Sequence, residues 1–123
     1  MRAIFAKHVM VVADSCYSGT LTRSIKPENR TPDYIERMAS KRTRVVLSSG
    51  GLEPVTDAGG GKHSLFAAQF LRALEENHSI LDGTHLFEIV RKNVMLNADQ
   101  TPQYSDIRRA GHEGGDFLFV RRN

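Results

Sequence analysis

The segment HVMVVADS, residues 8–15, constrains the fold more than any other part of the chain. Val9–Ala13 is apolar at every position and is bounded by polar turn formers. A strand that is apolar without alternation expects cover on both faces, as strands of parallel sheets have. A second such run is TRVVLSS at 43–49. Between the two, TPDYIERMASK at 31–41 reads as a helix. Thr31 is placed to cap it, Pro32 sits at the first helical position and Asp33 in the first turn, while Ile35, Met38 and Ala39 form its apolar stripe. Ser64 can cap a helix over LFAAQFLRALEEN, with Leu65, Phe66, Phe70, Leu71 and Leu74 on one face. Asp82-Gly83 reads as a turn. Thr84 can cap a further helix to about Leu96, striped by Leu86, Ile89, Val90 and Val94. DFLFVRR near the end reads as a strand. The polar stretches 17–30, 50–62 and the Pro-containing connection to Gly115 read as loops. The order strand, helix, strand, helix, helix, strand predicts an α/β layered domain with a mostly parallel sheet of about three strands and flanking helices. The first strand reads as central, yet nothing precedes it to cover one side.

Charge and cysteine content narrow the function classes. Net charge is +3, from 17 Lys+Arg against 14 Asp+Glu, and the basic residues scatter, so the chain lacks a nucleic-acid signature. The densest basic run, Lys41, Arg42 and Arg44 with Arg37 nearby, reads as a solvated helix end and linker. A single cysteine excludes an internal disulfide, and no cluster suggests a structural zinc; no cofactor is expected. This usage fits a reducing, cytoplasmic compartment. MRAIFAKH lacks the apolar run of a signal peptide, and no window approaches a membrane span. Gly50, Gly51, Gly59, Gly60 and Gly61 hint at a phosphate-binding, flavodoxin-like domain but match no defined loop pattern.

The one cysteine, Cys16, follows the first strand at its carboxyl end, where open parallel sheets place their sites. It is either a buried small hydrophobe or a nucleophile on a turn permitted by Gly19, whose amides would stabilise a thiolate and a developing oxyanion.

ADSCYSG, residues 13–19, resembles the active-site segment of caspase-like cysteine peptidases, closest to the metacaspase and bacterial caspase-like branch, where Asp-x-Cys-x-Ser-Gly recurs. RVVLSSGGLEPVTD, GKHSLFAAQFLRAL and ADQTPQYSDIRRAGHEGGDFLFVRR are similar to later parts of such domains, so the resemblance spans nearly the whole chain. It implies a caspase-like three-layer sandwich and a cysteine endopeptidase. Cys16 would be the nucleophile, its own amide forming part of the oxyanion hole. Asp14 would lie in the pocket for the residue before the scissile bond, which in this branch is acidic and takes Arg or Lys. A carboxylate there pairs well with a cationic side chain. Glu53 and Asp57 would add to the same pocket or remain exposed loop acids. The implied partner is a peptide or protein substrate with a basic residue at that position. Some metacaspases use calcium, but no dedicated acidic cluster is evident. Arg23, Lys26 and Arg30, in the polar loop after Cys16, are candidate self-cleavage positions, or simply solvated.

A thiol with a pKa near 8.5 needs a base or an electropositive setting. In this clan the base is a histidine upstream of the cysteine. His8 is the only upstream histidine, and at a rise of about 3.3 Å per residue it lies about 25 Å from Cys16. His63 is a surrogate at best. His78, His85 and His112 read as surface residues. Residues 1–123 therefore read as the C-terminal portion of a single caspase-like catalytic domain, with the histidine outside the chain and the chain alone inactive. The alternative is a non-catalytic caspase-fold interaction module, pairing through its uncovered first strand with a second copy or with a missing N-terminal segment.

Overall fold

The computed structural model describes residues 4–14, 21–24, 33–50, 63–98, 100–107 and 109–122. In chain order they form β1 (His8–Ala13), β2 (Leu21–Ser24), α1 (Tyr34–Ser40), β3 (Thr43–Ser48), α2 (Leu65–Glu76), β4 (Ile80–Asp82), α3 (Gly83–Asn97), β5 (Gln103–Ile107) and β6 (Leu118–Val120).

These elements make a mixed α/β structure with three helices and two small sheets. The larger sheet has the order β1-β3-β5-β2. It is mixed, not mostly parallel, and has four strands, not about three. Only β1 and β3 run parallel, in register from His8 opposite Thr43 to Ala13 opposite Ser48. β5 pairs antiparallel with β3, and β2 antiparallel with β5. β2 and β5 both fall in stretches that read as loops. LTRS and QYSDI are short and largely polar, and in each the strand is fixed by its neighbour's free backbone groups, not by an apolar run. β6 leaves the main sheet altogether and pairs antiparallel with β4, where the sequence shows a turn.

The centre of the sheet is β3, buried at every position. β1, expected to be central, is an edge strand of the described sheet and only half-buried, with Val12 42% exposed. Alternation along β3 divides the core. Val45 and Leu47 face α2 and α3, packing with Leu65, Phe66, Ala73, Leu86, Val90, Val94 and Tyr104. Val46 faces the other way, onto Ile107, Ala110 and Val11.

Capping follows the sequence for α2, where the Ser64 side chain accepts from the Ala67 amide at 3.0 Å. It shifts for α3, where Asp82, not Thr84, is the cap and accepts from the His85 amide at 3.0 Å. On α1 the buried residues are Tyr34 and Met38, and Asp33 occupies the cap position, where its carboxylate does not cap the helix amides but pairs with Arg37 one turn on, at 3.4 Å. Thr31 and Pro32 lie outside the described residues. No helix among the described residues is long and apolar enough to cross a membrane.

Candidate functional site

The carboxyl end of β1 brings three chain segments together. The ladder with β3 runs to its last residue, and the Ser49 amide donates to the Ala13 carbonyl at 2.9 Å. Asp14 is the next residue and is exposed. Its Oδ2 accepts a hydrogen bond from Ser64 Oγ at 2.5 Å, across 50 residues of sequence. The same hydroxyl oxygen accepts from the Ala67 amide, so one serine both caps α2 and holds the carboxylate. Gly50 closes the third side. Its φ of 80° is in the left-handed region, and a Cβ there would collide with the Thr101 carbonyl at the approach to β5. Gly50 is therefore accounted for by backbone packing. Gly51, Gly59, Gly60 and Gly61 lie outside the described residues.

An exposed carboxylate at the positive end of a helix, with a neutral hydroxyl as its hydrogen-bond partner among the described residues, keeps capacity for a cation. In the open such a pair contributes little, about 0–1 kcal/mol. It discriminates strongly only when the bound partner covers it. Cys16, Glu53 and Asp57 lie outside the described residues, as do Lys26 and Arg30. Arg23 falls within β2.

The opposite, amino end of the sheet is occupied by structural bonds. His8 Nε2 donates to the Lys41 carbonyl at 3.1 Å. His8 lies six residues before Asp14, about 20 Å along the strand. His112, expected at the surface, is half-buried, and its Nδ1 accepts from the Arg44 amide at 3.0 Å. Arg44, expected in a solvated basic run, is fully buried. Its guanidinium donates to the carbonyls of Ile4, Ala6, Lys7 and Thr43 at 2.7–2.9 Å. The long side chain turns back along the sheet and satisfies carbonyls of the segment entering β1, which is how a buried cation is accommodated with no acidic partner among the described residues. His78 is exposed, and His85 sits in the first turn of α3. His63, adjacent to Ser64, is thus the histidine that the fold brings to the Asp14 end.

A second polar centre leaves no signal in the sequence. Asp116 is buried under the start of α3. Its Oδ1 accepts from Tyr104 Oη at 2.6 Å and from the Phe117 amide at 2.9 Å, and its Oδ2 accepts from the Thr84 amide at 2.9 Å. Burial pushes the Asp116 carboxyl up from 3.8, against the opposing pull of the bonds from Tyr104, Thr84 and Phe117. Burial and the adjacent Asp116 raise the Tyr104 hydroxyl well above 10. Gly83 is required here, because a Cβ would press on Tyr104 Oη and on Asp116. This cluster closes on itself and locks α3 to β5. A buried Tyr–Asp pair 12 residues apart has no local sequence signal.

Among the described residues, no group of three His, Cys, Asp or Glu side chains converges to hold a metal ion. No family model, curated protein or solved structure matches the chain.

Proposed function

We propose that the chain carries the nucleophile-bearing part of a caspase-like cysteine endopeptidase that cleaves after Arg or Lys. In this reading Cys16 attacks the scissile carbonyl, Asp14 receives the basic side chain, and the general base comes from outside the 123 residues. The observation that carries it is the position of Asp14. Its exposed carboxylate directly follows the parallel strand β1 and precedes Cys16 by two residues, in the ADSCYSG context that resembles the peptidase segment. A solvent-facing carboxylate beside a nucleophile is suited to selecting a cationic substrate side chain and to retaining it once covered. The finer fold assignment, an incomplete caspase-like three-layer sandwich, and the cytoplasmic location belong to the same proposal. Glu53 and Asp57 enter as secondary acids of the pocket. No cofactor is invoked.

The test uses alkylation, which does not require a complete catalytic pair. A peptidyl chloromethyl ketone ending in Arg forms a thioether with Cys16 Sγ as the carbon–chlorine bond breaks; chloride leaves and the thiol proton passes to water. Intact mass should show the Arg-ended reagent labelling Cys16 at least about tenfold faster than a Leu-ended one, with no turnover of an Arg-ended reporter by the chain alone. Equal rates would remove the pocket. Turnover lost in Cys16→Ala but retained in His63→Ala would overturn the external base by pointing to another base in the chain, and turnover lost in both would place the base at His63.

A second reading, a non-catalytic interaction module, is favoured by β1. Among the described residues it pairs only with β3, and Phe5 beside it is 98% exposed. Such an edge is a template for another strand. A dimer in sedimentation that Val12→Lys dissociates would support this reading, and a monomer at all concentrations would exclude strand pairing between copies.

A further inference from the structure

The bond between Ser64 and Asp14 links the first turn of α2 to the end of β1 and extends the reading just given. We propose that Ser64 is a positioning residue for substrate selection: it fixes the Asp14 carboxylate in the orientation that receives a cationic side chain. The inference rests on the Asp14 pocket proposed above.

The geometry assigns the serine two separable tasks. Its oxygen accepts from the Ala67 amide at 3.0 Å, which caps α2. Its hydrogen goes to Asp14 Oδ2 at 2.5 Å. Accepting the amide leaves the hydroxyl hydrogen committed in direction, because one hydroxyl has one donor. That hydrogen points at the carboxylate and not at solvent. Asp14 is otherwise an exposed side chain just past the end of a strand, free to sample several rotamers. Holding one Asp14 oxygen in place orients the other. The cost of ordering the carboxylate is then met in the free protein and not on binding, which is how preorganisation raises affinity. α2 supplies a rigid base for the anchor: it runs for 12 residues and buries Leu65 and Phe66 immediately after the serine.

The two tasks can be separated by substitution. Glycine is nearly as good a helix cap as serine, but it has no hydroxyl for Asp14. Threonine retains both functions. In the full chain, the rate of Cys16 alkylation by an Arg-ended chloromethyl ketone divided by that by a Leu-ended one isolates selection from general thiol reactivity. Ser64→Gly should lower this ratio about 3- to 10-fold, the range expected for one lost hydrogen bond of ordinary net strength at an exposed site. Ser64→Thr should restore it, and the thermal midpoints of the two variants should lie within a few degrees of each other. An Arg preference in the unaltered chain that survives Ser64→Gly would overturn the positioning role and leave the Asp14 pocket standing. A ratio lowered equally by Gly and Thr would also overturn it, since disruption and not the hydroxyl would then be responsible. No Arg preference in the unaltered chain would overturn the pocket itself, and the positioning role with it.

Discussion

Asp14 and Asp116 are two carboxylates of one small protein in opposite circumstances. Asp116 is buried, and its two oxygens accept hydrogen bonds from Tyr104, Phe117 and Thr84. Asp14 is exposed and, among the described residues, accepts one hydrogen bond, from the neutral hydroxyl of Ser64. A saturated buried carboxylate is part of the scaffold: it has no oxygen to offer and cannot be reached. An exposed carboxylate at a strand end has capacity to offer. The shifted carboxyl, Asp116, is held within the scaffold, and the proposed selector, Asp14, is singled out by its position two residues before Cys16 in the sequence.

Substitutions can break this contrast. Asp116→Ala should have the largest effect, a loss of about 3 kcal/mol measured by urea unfolding. It leaves the Tyr104 hydroxyl and the Thr84 amide buried without their acceptor, and each orphaned group costs about 1–3 kcal/mol. A loss below about 1 kcal/mol would mean that the cluster does not lock α3. A smaller, pH-dependent effect follows from the raised Asp116 carboxyl. The folded state holds this proton more tightly than the unfolded chain, so the stabilisation is fully present below about 3.8 and is lost as pH rises through the folded value. The stability of the protein relative to Asp116→Asn should therefore fall across that window. A rise instead would show that the three hydrogen bonds outweigh burial. Asp14→Asn should have the smallest effect on stability, within about 0.5 kcal/mol, as for an exposed site. A larger loss would make Asp14 a scaffold residue like Asp116.

What could be read from the sequence divides along physical lines. β1, β3, α2 and α3 announce themselves because burial leaves a run or a stripe: VMVVA, TRVVLS, and the apolar faces begun by Leu65 and Leu86. β5 does not, because QYSDI buries Tyr104 and Ser105 side by side and owes its place to β3. Without β5 the sheet reads as parallel, and β1, apolar on both faces in the sequence, reads as central although it is the edge of the described sheet. The burial of Arg44 is hidden in the sequence for a related reason. Charge in a sequence signals solvent, and only the fold reveals four carbonyls arranged to receive the guanidinium. At the candidate site, Asp14 was legible through its neighbours in ADSCYSG. Its partner Ser64 was legible only as a helix cap, since a contact across 50 residues leaves no periodicity. The positions of Cys16, Glu53 and Asp57 lie outside the described residues.

The most direct measurement of the central claim is the Arg-over-Leu preference of Cys16 alkylation before and after Asp14→Asn. The substitution keeps size and removes the charge. The account requires a preference of about tenfold or more in the unaltered chain and its collapse toward equal rates in Asp14→Asn, with stability unchanged. A preference that persists without the Asp14 charge would contradict it, and would move the recognition of the basic residue to other groups.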